Sequence, residues 1–175
     1  MRLRKLKLKD APLMLEWMHD DNVVHFMGTK FSKKTLHDCE MFITSSRNDI
    51  KNFHCAIVDE FDVYMGTVSL KNINTERSNA EFAITIRRQA MAKGYSYFGM
   101  NEMLKLGFKD LRLDEIYWYV RKDNIRAIRF YKKNGFKKMK NELNEIVKDI
   151  DKYEWYIIHN SEFLKINHRQ DQMPN

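Results

Sequence analysis

Four positions in this chain have the type and spacing to act on a single ligand: Glu81, Gly94, Asn124 and Tyr131. Gly94 opens a long helical pattern after the alternating run Glu81, Phe82, Ala83, Ile84, Thr85, Ile86 and the basic, irregular stretch 87–93. A strand that feeds a helix start through a short loop gathers backbone N–H groups beside the positive end of the helix dipole, a geometry that binds phosphate. Glycine at the closest approach lets a pyrophosphate reach those amides. Alone, the run reads as an ordinary strand-to-helix turn. Its single glycine matches neither the three-glycine dinucleotide pattern nor a phosphate loop ending in Gly-Lys-Ser/Thr.

Residues 120–136 add a second signal. Asn124, Ala127, Ile128 and Tyr131 recur at the three- and four-residue steps that put them on one helix face. An asparagine at the helix start and a tyrosine two turns on therefore address the same ligand. Taken separately, they read as an N-cap and a half-buried aromatic. Asn134 and Gly135 form a left-handed helix stop, and Phe136 returns the chain to a sheet.

These residues need a scaffold, and the hydrophobic periods supply one. Residues 2–9 alternate basic residues with leucine, as an edge strand does. Asp10 and Pro12 start a helix with Leu13, Met14, Trp17 and Met18 on its inner face. After an irregular stretch over 20–31, Ser32 or Thr35 caps a second helix that turns Leu36, Cys39, Phe42 and Ile43 inward. The period then changes to two, predicting strands over 53–58, 64–70 and 79–86. A helix over 94–109, a strand over 115–121, a helix over 124–134 and strands over 136–143 and 152–158 complete the order. The expected fold is a mixed α/β domain over residues 1–160. Its central sheet has about seven mostly antiparallel strands and helices on both faces, and residues 161–175 form a polar tail.

With 175 residues, 43% of them hydrophobic and 13% aromatic, the chain can bury a core without staples. Lysine and arginine outnumber the acids 31 to 24, a formal charge of +7 that suits an anionic ligand and would also suit nucleic acid. The chain has no recognisable nucleic-acid motif, which makes nucleic acid an unlikely partner. Cys39 and Cys55 have no metal-ligand spacing and are too few for a disulfide framework, and the six histidines pair nowhere, so no metal site is expected. No apolar run reaches the length of a membrane helix, and the charged N-terminus lacks a signal-peptide core. A reducing cytoplasm is the expected location. A monomer and a homodimer joined through a sheet edge are both open.

Together, the Gly94 and Asn124 segments resemble the coenzyme A binding half of the GCN5-related N-acetyltransferase (GNAT) superfamily, whose final motif has the same Asn, Ala, Tyr, Lys, Gly, Phe order. The chain is similar to the branch holding ribosomal-protein N-terminal and spermidine acetyltransferases. The resemblance implies acetyl-CoA as cosubstrate and transfer of its acetyl group to a primary amine by direct attack in a ternary complex. It implies that Ile84, Thr85 and Ile86 pair with the pantetheine arm and that the amides of Met91, Ala92, Lys93, Gly94, Tyr95 and Ser96 hold the pyrophosphate. Asn124 and Ala127 would flank the arm from the other side. Met91 departs from the Gln or Arg usual in the family's loop, and Arg87, Arg88 and Lys93 are candidates to replace that polarity.

On this reading Tyr131 is the general acid for the departing thiolate. Its ordinary pKa of about 10, against about 8.5 for a cysteine-like thiol, keeps it protonated at neutral pH. Glu81 shares a strand face with Ala83 and Thr85 and is the candidate base. Trp17, Phe26, Phe31, Tyr153 and Trp155 are candidates to line the acceptor pocket. Glu16, Asp20, Asp21, Glu40 and Glu81 are the acids available for a cationic acceptor. A protein N-terminus, an amino sugar and a polyamine remain open as acceptors, with a non-catalytic coenzyme A binding module as the alternative.

Overall fold

The computed structural model describes residues 1–139 and 151–163. Six strands form one sheet in chain order: β1 (Arg2–Lys5), β2 (Phe53–Val58), β3 (Tyr64–Asn74), β4 (Asn79–Ile86), β5 (Glu115–Arg121) and β6 (Tyr153–His159). Every junction is antiparallel except β4 with β5, which is parallel. Among the described residues the sheet thus has six strands against the expected seven. Lys138 makes only an isolated bridge to Tyr156, and residues 140–143 of the expected seventh strand lie outside the described residues.

Alternation along the strands divides the core in two. On one face, Ile57, Val68, Leu70, Phe82, Ile116 and Trp118 pack against helix α4 (Tyr95–Lys105) and helix α5 (Ile125–Lys133). Gly99 lets α4 lie close on the sheet, because a Cβ there would come within 2.3 Å of Ile57 Cδ1. The helix ends in a wider turn over Leu106–Asp110. On the other face, Ala56, Val58 and Tyr64 are covered by α1 (Ala11–Met18), α2 (Asp21–Val24) and α3 (Leu36–Ser45). These helices sit over β1 to β3, so among the described residues the strip over β4 to β6 has no helix on it. Among the described residues no helix is long and apolar enough to cross a membrane.

At four places the structure departs from the local sequence pattern. Asp10 does not cap α1: its carboxylate takes two bonds of 2.7 Å from Arg4 and one from the Lys7 amide. The stretch expected to be irregular contains α2, whose start is held by Asp20 accepting from the Asn22 amide at 3.0 Å. Thr35 rather than Ser32 caps α3, in a reciprocal box with Asp38, and leaves Leu36 exposed instead of inward. At the other end, residues 160–163 are helical and Phe163 is buried against Phe108, so the packed chain runs past the expected start of a polar tail.

Candidate active site

The site forms where the sheet comes apart. β4 and β5 pair only through Asn79, Ala80 and Glu81 with Glu115, Ile116 and Tyr117. Beyond Glu81, β4 stays paired with β3 as far as Ile86, while β5 runs on with β6. The two strands therefore form the arms of a fork with Glu81 and Tyr117 at its crotch. Ala83, Ile84 and Thr85, on the β4 arm, are half-buried where the strand's first four residues are buried. A strand edge released from its neighbour offers N–H and C=O groups to an extended ligand.

Just past the β4 arm comes the loop. Ala92 and Gly94 have φ of +60° and +85°, and Gly94 is the N-cap of α4, so the amides of Tyr95 and Ser96 open the helix without intrahelical acceptors. The glycine is required by its left-handed backbone. A Cβ there would make only an ordinary 3.6 Å contact with Met1 Cε. Ala92, Lys93 and Gly94 are exposed, while Met91 is half-buried and packs against both core clusters. Arg87, a candidate to face the loop's ligand, turns inward instead. It is 4% exposed, binds both carboxylate oxygens of Glu16 and donates to the Tyr64 carbonyl at 2.9 Å. Arg126 of α5 reaches the loop from the other side, with Nη1 2.9 Å from Met91 Sδ.

Asn124 is the N-cap of α5, and its side-chain oxygen accepts from the Ala127 amide at 3.1 Å. The cap holds the helix whose next turns deliver Tyr131 beneath the β5 arm. Tyr131 is 7% exposed, within 5.4 Å of Trp118 and 5.0 Å of Tyr156, centroid to centroid. Its hydroxyl has no hydrogen-bond partner among the described residues, and neither does the buried Trp118 indole N–H. Burial among these rings pushes the phenol pKa well above its ordinary value, so the group holds its proton throughout the neutral range.

Glu81 lies on the opposite face, 8% exposed. Lys71 Nζ sits 2.6 Å from one of its oxygens, and Asn72 donates to the other at 3.0 Å. Register then assembles a polar strip that no single stretch of sequence announces. Lys71 stands opposite Glu81, Glu81 opposite Tyr117, Ser69 opposite Ala83, and His54 opposite Ser69. Beyond Tyr117 the strip becomes aromatic: Trp155 stacks on Tyr117 at 6.4 Å and lies 4.8 Å from Tyr119, which meets Tyr153 at 5.2 Å. Burial, with the Glu81 charge adding to it, raises both Tyr117 and Tyr119 above the ordinary tyrosine pKa.

The fold thus brings together the β4 arm, the loop at 91–96, the start of α5, Tyr131 and Glu81. It does not bring in Trp17, which is buried, bonded to Tyr64 Oη at 3.0 Å and covered by Phe31. His54, Ser69, Lys71, Asn72, Tyr117 and Tyr119 were missed by sequence reasoning. Alternation gave each of them a face, and only the register gives neighbours.

A loop with left-handed residues at a helix start thus stands beside a strand edge released from its neighbour and a buried phenol, an arrangement compatible with a phosphate-bearing ligand. Residues 1–137 match the family model described as the acetyltransferase (GNAT) domain, and the chain belongs to that family of acetyl-CoA-dependent N-acetyltransferases. Its relatives include an acetyltransferase named PseH from Campylobacter jejuni, 25% identical over 132 residues, covering 75% of this chain and 80% of the relative. A spermidine N(1)-acetyltransferase from Vibrio cholerae is 35% identical over 72 residues, 41% of this chain and 42% of the relative. Among solved structures, spermidine N-acetyltransferase from Vibrio cholerae in complex with CoA and spermine superposes with a TM-score of 0.79 at 23% identity, covering 93% of this chain and 97% of that one.

Proposed function

We propose that this N-acetyltransferase acts on the primary amine of a sugar carried on an anionic group, such as a nucleotide. The observation that carries the reading is the wall of Tyr117, Tyr119, Tyr153 and Trp155 beside Glu81, on the strip of the sheet over which none of the described helices lies. Aromatic faces with hydroxyl tips suit a ring with polar edges. A polycation would need free carboxylates, and three of the candidate acids among the described residues are committed: Glu16 to Arg87, Asp20 to the start of α2 and Glu81 to Lys71. The formal charge of +7 also favours an anionic acceptor.

Acetyl-CoA, when bound, supplies a thioester activated toward amines. Toward it, the exposed left-handed loop with its helix-start amides fits a pyrophosphate, and the open β4 edge at Ala83 to Ile86 fits the pantetheine arm. The crotch of the fork receives the acceptor's amine, and Tyr131 gives its proton to the departing thiolate from the other face. Much of the acceleration comes from holding the two partners in line. A polyamine acceptor is the second reading. It is favoured by the spermidine N(1)-acetyltransferase relative and by the solved complex with CoA and spermine.

Thiol release from acetyl-CoA, run against UDP-linked amino sugars, free amino sugars, spermidine and N-terminal peptides, tests the choice. Turnover with the UDP-linked sugars and none with spermidine is expected. The reverse pattern overturns the sugar reading and leaves the family chemistry intact.

A further inference from the structure

We infer that Ser69 and His54 form the proton outlet of this site, with Ser69 Oγ meeting the attacking amine and His54 Nδ1 receiving the proton through it. Ser69 is 6% exposed, and its Oγ lies 2.7 Å from His54 Nδ1. Across β4 its neighbour is Ala83, the smallest side chain on the β4 arm, and Ala83 is two residues past the crotch residue Glu81 on the same face. Ser69 therefore stands on the strip between the β4 arm and His54. His54 is half-buried and braced edge-on by Phe42 of α3, 4.9 Å between centroids. This inference rests on the acetyltransferase reading and on Tyr131 as the acid.

Glu81 is poorly suited to the same task. Both of its oxygens are engaged, one by the Lys71 ammonium and one by Asn72, so neither is left to accept the amine's proton. His54 is the neutral base on this strip. The charged groups facing it are Asp49, before β2, which favours the imidazolium, and Lys71 on β3, which opposes it, while α3 presents only the Phe42 ring. Burial outweighs the rest and lowers the imidazole pKa, so it enters each cycle unprotonated at neutral pH.

The proton balance closes. As the nitrogen–carbon bond forms and the carbon–sulfur bond breaks, the thiolate takes the Tyr131 proton. The surplus proton on nitrogen passes to Ser69 Oγ, while the Ser69 hydroxyl proton passes to His54 Nδ1. The imidazolium and the phenolate are then reset by solvent. This order requires the Nε2–H tautomer of His54 at rest, with Ser69 as the donor.

The test joins a tautomer measurement to a pH profile. In ¹⁵N-histidine spectra at pH 7.5, His54, assigned through His54→Gln, is expected unprotonated at Nδ1, and Ser69→Ala is expected to move its titration midpoint. With a UDP-linked amino sugar as acceptor, or spermidine if that alone turns over, His54→Gln is expected to lower kcat about 100-fold and to remove the acid limb of the profile. Acetyl-CoA affinity by calorimetry should stay within about twofold, and Glu81→Gln should keep the limb. A limb that survives His54→Gln and vanishes in Glu81→Gln overturns the inference, as does Nδ1 found protonated at rest whether or not any acceptor turns over. Failure of acetyl-CoA to bind the unaltered protein would instead count against the underlying reading, a separate readout.

Discussion

The two faces of the fork are built by different means. The side holding the β4 arm, the loop and α5 is built from short consecutive runs, and its working parts are mostly backbone: a strand edge, helix-start amides and a capped helix. The strip with Glu81 is built from single side chains on β2, β3, β4, β5 and β6, and its working parts are hydroxyl, imidazole, carboxylate, ammonium and ring. Backbone chemistry survives a change of side chain such as Met91. Side-chain chemistry does not, so on the proposed reading acceptor choice belongs to the second region and carrier binding to the first.

The sharpest separation is expected from Tyr131→Phe. The ring packing is kept and no hydrogen bond is lost within the described residues, so acetyl-CoA affinity by calorimetry should hold while kcat falls about 100-fold. Unchanged turnover would remove Tyr131 from the chemistry. Arg87→Met breaks the strut between α1 and the end of β4 and leaves the Tyr64 carbonyl, accepting at 2.9 Å, without that donor. A loss of about 2 kcal/mol in urea unfolding is expected, with weakened binding on both faces. If only one face responds, the strut does not couple them.

Gly94→Ala should act on the carrier side alone. An alanine at φ +85° costs about 1 kcal/mol. Acetyl-CoA Kd should therefore rise roughly fivefold while acceptor KM is unmoved. The smallest effect is expected far from both faces. Lys9 and Arg4 hold the Asp62 carboxyl well below the ordinary aspartate value of 3.8. A depressed folded-state pKa stabilises above the unfolded value and is lost as pH falls below it. Thermal melts should thus show a steeper decline below about pH 4 in the unaltered protein than in Asp62→Asn. Equal slopes would mean that solvent screens the cluster.

What was legible in the sequence follows the same division. The strands Phe53–Val58, Asn79–Ile86 and Glu115–Arg121 have the expected bounds residue for residue, because each is an apolar-rich run bounded by polar residues, and Glu115–Arg121 alternates cleanly as well. The start of α4 at Gly94 and the Asn124 cap were readable from local residue chemistry. Asp10 was misread because its partner, Arg4, lies on another element, and Arg87 because Glu16 is 71 residues away. The Ser69 and His54 pair is 15 residues apart in sequence and adjacent only through the β2 and β3 register. Composition carries no trace of such a meeting.

The fork has a mechanical side as well. Among the described residues, three ladder pairs, from Asn79 with Glu115 to Glu81 with Tyr117, join β5 and β6 to the other four strands. A sheet joined by so short a seam has two cooperative units that open separately, and amide exchange should resolve them. A carrier lying along the β4 arm and reaching toward α5, as proposed, would act as a suture across that seam. Its binding energy would then appear as slowed exchange in β5 and β6, strands that scarcely touch it.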